Sequence, residues 1–190
     1  MALEDFKPEL TYTSFEKFMD NAKTPLQREH LETVVRHSRG EVTADLDTVM
    51  ATLSDNPEYH EFGVYANTSD DMGPKGLDAV KANYADMVNS GSYVIESKKT
   101  RVVVSDYDVV TEGTYRQILP VAVAKKLGFV AGDADEASHY LLTGRTVVFW
   151  VFDEAGKATG EDRYVFPTGV SPLSDSDLPA NYPAKFRAGN

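Results

Sequence analysis

The spacing of the apolar residues changes once along this chain, near residue 91. Before it, Leu46, Val49, Met50 and Leu53 recur every three or four positions, as do Leu77, Val80, Tyr84, Met87 and Val88. That is the period of helices with one buried face. After Gly91 the pattern becomes that of strands, with Val, Ile, Thr and Tyr enriched in short runs. One change of period means helices first and antiparallel strands second. This predicts an α+β fold rather than an alternating one built on a parallel sheet.

The helices expected are a short one behind Ser14, one from Pro25–Leu26 to about Gly40, one from Ala44 to Leu53, and one through Leu77–Val88. Leu31, Val34, Val35 and Ser38 form the inner stripe of the second, and Gly40 is a plausible stop. Tyr59–Phe62 reads as a short strand. Tyr93–Lys98, Lys99–Val104, Val109–Gln117, Thr146–Phe152 and Ala158–Phe166 read as further strands, the last two joined by a turn at Asp153–Lys157. Residues 117–145 interrupt this series with a short helix behind Pro120 and the acidic run 132–136, a solvated loop. The tail from Pro167 reads as extended.

Composition narrows the function. Nineteen basic against 30 acidic residues give a net charge of −11, which repels nucleic-acid backbones and anionic membrane surfaces. The absence of cysteine rules out disulfides, thiolate nucleophiles and Cys-bound metals. Histidines 30, 37, 60 and 139 lack the close spacing of a metal site, and no glycine-rich phosphate loop or nucleophile elbow is present. The acidic start and the lack of a long apolar run point to a cytoplasmic protein without a membrane role.

Four local patterns carry a family resemblance. They are Ala44-Asp45-Leu46-Asp47 opening a helix that ends at Leu53-Ser54-Asp55-Asn56, Tyr59-His60-Glu61-Phe62 after it, and Gly76 opening a helix with Val80 and Tyr84. The fourth runs from Phe152-Asp153-Glu154-Ala155-Gly156-Lys157 to Tyr164. In this order they resemble the nuclear transport factor 2-like superfamily, which includes ketosteroid isomerases, SnoaL-type polyketide cyclases, dehydratases, epoxide hydrolases and non-catalytic binders. The resemblance implies helices packed in the concave side of a strongly curved, mostly antiparallel sheet, a cone-shaped α+β barrel. It implies a domain over 26–167 with an insertion at 117–145, an extension at 1–25 and an extended tail at 168–190.

The resemblance also places candidate residues. The isomerases' carboxylate base falls on Glu61, or on His60 if the alignment shifts by one to match Gly63. Strand alternation lets one of the two face inward, and Tyr59 turns the same way as Glu61. The isomerases' helix tyrosine falls on His37, at the edge of its helix's apolar stripe, where a boundary position is expected. Their second acid falls on Val148. The epoxide hydrolases' charged pair falls on Gly113 and Tyr115, and their final-strand acid on Arg163. Neither set is complete, but these positions should face the cavity. Tyr115 could then donate a hydrogen bond, and Arg163 could hold an anion or pair with Glu61, or with Glu161 or Asp162 on the sheet face. Tyr84 and Trp150 are core or cavity wall, and His139 borders the insertion as a loop residue or at the cavity mouth.

The expectation is therefore a cofactor-free, metal-free lyase, isomerase or cyclase acting on a small, mostly apolar, aromatic molecule. Glu61 or His60 would take a proton, with Arg163, Tyr115 and His37 holding charge and Tyr59, Tyr84, Trp150 and His139 binding substrate. The alternative is a non-catalytic ligand-binding or dimerisation module. An inward Glu61 beside an Arg or Tyr favours the enzyme, and a cavity filled by Trp150, Tyr84 and Phe152 favours the module. A homodimer through the outer sheet face is expected, with 117–145 as a lid over the cavity or part of the interface.

Overall fold

The computed structural model describes residues 3–131 and 137–187, so the acidic run 132–136 lies outside the described residues. Helices α1 (Leu10–Thr13), α2 (Pro25–Thr43), α3 (Leu46–Ala51) and α4 (Leu77–Ser90) precede most of the sheet, and α5 (Val121–Lys126) lies within it. The strands are β1 (His60–Phe62), β2 (Ile95–Val104), β3 (Asp108–Pro120), β4 (His139–Phe152) and β5 (Ala158–Leu173), in the order β1-β5-β4-β3-β2. Every pairing is antiparallel except β1 with β5. No helix among the described residues is long and apolar enough to cross a membrane.

Local chemistry sets the helix ends. Pro25 occupies the first turn of α2, where its missing N–H costs nothing, and the Thr24 side chain accepts from the Gln27 amide at 3.2 Å. The helix runs past Gly40 and ends at Ala44, which takes the left-handed conformation with φ 58°. Gly40 is a packing position instead, because a Cβ there would lie 2.9 Å from the Val49 side chain. Its inner face also differs from the apolar stripe. His30, Thr33 and His37 are buried with Leu31, Val34 and Ser38, whereas Val35 is half-buried. The two histidines are held differently: the His30 ring stacks on Phe152 with centroids 4.0 Å apart while neither of its nitrogens has a hydrogen-bond partner among the described residues, and His37 is hydrogen-bonded at both nitrogens.

The two strands expected over Tyr93–Val104 are one strand with a bulge between Lys99 and Arg101. Without the extra residue, strict alternation from Ile95, Ser97 and Lys99 would turn Arg101 inward. The bulge turns Val102 inward and leaves Arg101 exposed. β3 and β4 extend to Pro120 and His139, so residues 117–120 and 139–145 are strand and the interruption is shorter than the sequence indicates. β5 likewise continues through Pro167 to Leu173, with an irregularity opposite Thr143–Gly144. β1 covers β5 only at Asp162–Tyr164, so a proline beyond that point sits on a strand with one neighbour, where such residues are tolerated.

Two apolar clusters fill the concave side. One gathers Leu31, Val34, Val49, Val80, Val148, Trp150 and Phe152 at the narrow end, and the other gathers Ile95, Leu119, Leu142 and Val165 with Val123, Leu127 and Phe129 at the wide end. The tail and the N-terminal segment pack against each other, Leu3 and Phe6 with Leu178 and Tyr182. His139 lies there, buried, with its ring 5.1 Å from Tyr182.

Among the described residues, Ala44 is the one outside glycine that holds a positive φ, a conformation that costs a side chain about 1 kcal/mol or more. Ala44→Gly is expected to raise unfolding stability by about 0.5–1 kcal/mol, read as a higher denaturant midpoint at unchanged slope. A lower midpoint would show that the cap is not strained.

Candidate functional site

Between the two apolar clusters the strands carry polar residues on the concave face: Ser97 and Lys99 on β2, Thr111 on β3, Thr146 on β4, Glu161 and Arg163 on β5, and Glu61 on β1. Alternation fixes this face and register aligns it, since Glu61 pairs directly with Arg163 and residues opposite each other in neighbouring strands share a side. The Arg163 guanidinium donates from Nη2 to Glu61 Oε1 at 2.6 Å. Its Nε–H is buried without a partner among the described residues, as are the hydroxyls of Thr111 and Thr146.

Glu61 and Arg163 line a cavity of about 310 Å³ at the wide end of the cone. Tyr115, Gln117 and Ser92 add polar groups, while Val64, Met87, Leu142 and Val165 form apolar wall. Ala122, Val123 and Leu127 close it from the α5 side, and Lys126 on α5 meets Asp86 on α4 at 3.0 Å at its rim. The Glu61 backbone is pinned on both sides: its N–H donates to Asp71 Oδ1 at 2.9 Å and its carbonyl accepts from Met72 N at 3.0 Å. Asp71 is held far below the usual carboxylate range. Its partial desolvation works against this, but hydrogen bonds from Gly73, Lys75, Glu61 and His60 prevail.

Of the two alternatives for an inward base, Glu61 is the one at the cavity. His60 turns to the outside, where Nδ1 lies 2.6 Å from Asp71 Oδ2 and 2.9 Å from Lys75 Nζ. Arg163 and Tyr115 join Glu61, and Arg163 pairs with it rather than with Glu161 or Asp162. Tyr59, Tyr84, Trp150 and His37 do not line the cavity, and neither does His139. Trp150 is core, its ring 5.0 Å from His37. His37 is fully buried rather than at a boundary, because Thr52 and Tyr84 supply partners that an apolar stripe does not reveal. His139 is neither an exposed loop residue nor at the cavity mouth, since β4 begins there and the tail covers it.

Hydrogen-bond directions fix the protonation beneath the cavity. The Thr52 hydroxyl donates to the Val49 carbonyl at 2.6 Å, so its oxygen accepts from His37 Nδ1–H at 2.8 Å. His37 Nε2 is then an acceptor, and Tyr84 donates to it at 2.8 Å. Burial holds this histidine neutral, its pKa pushed down to about 3. With its proton given to His37, Tyr84 turns lone pairs toward Glu161 Oε1, which lies 3.4 Å from both the Tyr84 oxygen and His37 Nε2. Tyr84 and His37 then offer a carboxylate no proton, whereas a carboxylic acid there can donate to Tyr84. Burial raises the Glu161 pKa to about 8, reinforced by the charge of Glu41. Glu41, in the last turns of α2, is itself raised by burial while Arg163 and Lys99 draw it back. Lys99 is buried, donates to Ser97 Oγ at 2.9 Å, and is brought down to about 8 by desolvation.

The sequence marks Glu161 only as a sheet-face partner for Arg163, and does not mark Glu41, Lys99 or Gln117 as site residues. Glu161-Asp162-Arg163 is polar at every position, so no alternation marks its inner face. Tyr115-x-Gln117 carried a usable signal, because residues two apart on one strand share a side. No three His, Asp or Glu side chains among the described residues are grouped to hold a metal ion.

Glu161 keeps its proton to about pH 8 in the fold but, from its ordinary value of 4.5, loses it early in the unfolded chain. The folded state then binds more protons between these values, so this group's stabilising contribution is complete below about pH 4.5 and lost as pH rises through about 8. Glu161→Gln is expected to flatten the decline of stability across that window in chemical denaturation. An unchanged slope would mean that Glu161 is ionised in the native state.

No family model matches the chain, and no curated protein matches it in sequence. Solved structures do. A protein from Jannaschia sp. CCS1 described as a SnoaL-like polyketide cyclase is 14% identical, with a TM-score of 0.56 over 76% of this chain and 90% of that one. A Mycobacterium tuberculosis epoxide hydrolase of the LEH-like kind is 18% identical, with a TM-score of 0.52 over 75% and 86%. The M. tuberculosis protein RV0760c, in complex with estradiol-17β-hemisuccinate, is 16% identical, with a TM-score of 0.52 over 72% and 92%. An NTF2-like protein of unknown function from Burkholderia pseudomallei matches to the same degree, at 17% identity and a TM-score of 0.52 over 73% and 91%. With its helices inside a curved five-stranded sheet, this chain has the nuclear transport factor 2-like fold.

Proposed function

We propose that the chain is an acid–base catalyst, a lyase, isomerase or cyclase that needs no cofactor, acting on a small, mostly apolar molecule with an aromatic ring. The observation that carries this reading is the Glu61–Arg163 pair, 2.6 Å apart at the wall of a cavity otherwise rich in apolar side chains. Glu61 takes a proton from carbon or oxygen. Arg163 has further N–H groups beyond the one given to Glu61, and these hold the negative charge that develops on the substrate. About 310 Å³ suits a molecule of one or two rings. RV0760c, of the same fold, takes up a steroid derivative, which supports a small-molecule role for such a cone. Trp150, Tyr84 and Phe152 pack in the core and leave this cavity open, which favours a ligand-handling protein over a purely structural module.

In this reading α5 is a lid. Its Val123 and Leu127 cover the cavity, and the exposed Lys126–Asp86 pair is weak enough to part when a ligand enters. The protein also acts as a homodimer through the outer sheet face. There Phe62 and Tyr164 stack at 5.0 Å, Phe149 meets Tyr164 edge-on, and Val103 and Phe166 are more than half exposed. Apolar area gathered in this way is usually covered by a partner.

Solvent-deuterium exchange into an enolisable benzylic ketone such as 2-tetralone reads proton abstraction without knowledge of the natural substrate. The native chain is expected to accelerate exchange, and Glu61→Gln to lose about 10²–10⁴-fold of that acceleration at unchanged folding. Full exchange activity in Glu61→Gln would remove Glu61 as the base. Sedimentation at micromolar concentration is expected to give twice the chain mass of 21.0 kDa. A single species at the chain mass would end the dimer reading.

A further inference from the structure

Gln117 decides which way a hydrogen bond runs at the cavity wall. The Ser92 carbonyl can only accept, so the amide nitrogen of Gln117 must be the group that lies 2.6 Å from it. The amide oxygen is then the group facing the Tyr115 hydroxyl, at 2.7 Å, and it too can only accept. Tyr115 has one proton and gives it to Gln117. The expectation that Tyr115 donates is therefore met within the protein and not toward the cavity, where its oxygen offers lone pairs. Tyr115 and Gln117 lie two apart on β3, both buried and both lining the cavity, so bulk water does not readily replace a missing partner there.

We propose that the ligand of this cavity carries a hydroxyl group whose hydrogen Tyr115 accepts, and that Gln117 is the residue that fixes this preference. A phenol or alcohol completes the series ligand O–H to Tyr115, Tyr115 O–H to Gln117 and Gln117 N–H to Ser92. A ketone, ether or halide in the same place sets lone pair against lone pair and leaves a buried oxygen unpaired, which such sites discriminate strongly. The proposal rests on the cavity being the ligand site, but not on its acid–base chemistry.

The test uses a size-matched pair of probes, 4-ethylphenol and 1-ethyl-4-fluorobenzene, with affinities from competition and ligand-observed NMR. The native chain is expected to prefer the phenol on the order of 10-fold or more. Tyr115→Phe removes one oxygen and is expected to bring the ratio close to one. Gln117→Met frees the Tyr115 proton to point into the cavity, and is expected to abolish or invert the preference while the phenolic oxygen of Tyr115 remains. Thermal midpoints of both variants report folding. Equal affinities in the native chain, no phenol binding at millimolar concentration, or a preference that survives Tyr115→Phe would each overturn the proposal. Phenol preference without ketone exchange would leave it standing and remove the acid–base reading alone.

Discussion

Charge taken out of water must find charge or hydrogen bonds inside, and this requirement organises the concave face of the sheet. Lys99 is buried and Arg163 half-buried in a polar layer between two apolar clusters. Glu61 meets Arg163 in register, Ser97 meets Lys99, and Glu161 keeps its proton to about pH 8 because of its burial and the neighbouring Glu41. The polar layer splits the interior into a closed apolar floor and an apolar chamber. Replacing one charge would strand its partner, so the layer behaves as a unit and the cavity inherits its chemistry from that unit.

The directions of the buried hydrogen bonds extend this argument. Each series ends on a main-chain carbonyl, Val49 in one case and Ser92 in the other. A carbonyl cannot reverse its role, so every rotor and tautomer upstream is set by an atom of the backbone. Secondary structure thereby dictates the polarity of side chains several bonds away, with no further charge needed. The interior is pre-oriented before any ligand arrives, which is the condition under which electrostatic stabilisation costs least reorganisation.

Much of this fold is legible in the sequence because it depends on periodicity. The helices around Val34, Val49 and Val80 and the strands around Val109 and Trp150 follow from spacing alone, and the turn at Asp153–Lys157 follows from its residues. What spacing cannot supply is partnership. Thr100 looks like any strand residue, yet the bulge there decides which of Arg101 and Val102 is buried. His37 looks marginal because Thr52 and Tyr84, its partners, lie 15 and 47 positions away. Glu61 and Arg163 were each marked as candidates, but their contact spans 102 positions and needs the parallel register of β1 on β5.

β1 is three residues long, stands at the end of the sheet, and pairs with β5 alone. The carboxylate at the heart of the cavity thus rides on the least anchored strand, while its cationic partner sits on a strand hydrogen-bonded through most of its 16 residues. Such an edge opens locally at a small fraction of the cost of global unfolding. The position of Glu61 is therefore set less by sheet pairing than by the loop beside it, whose Asp71 and Met72 bond its amide and carbonyl, whereas Arg163 is held by the sheet itself. A change in the 71–72 loop would thus move the acid without moving the cation it faces.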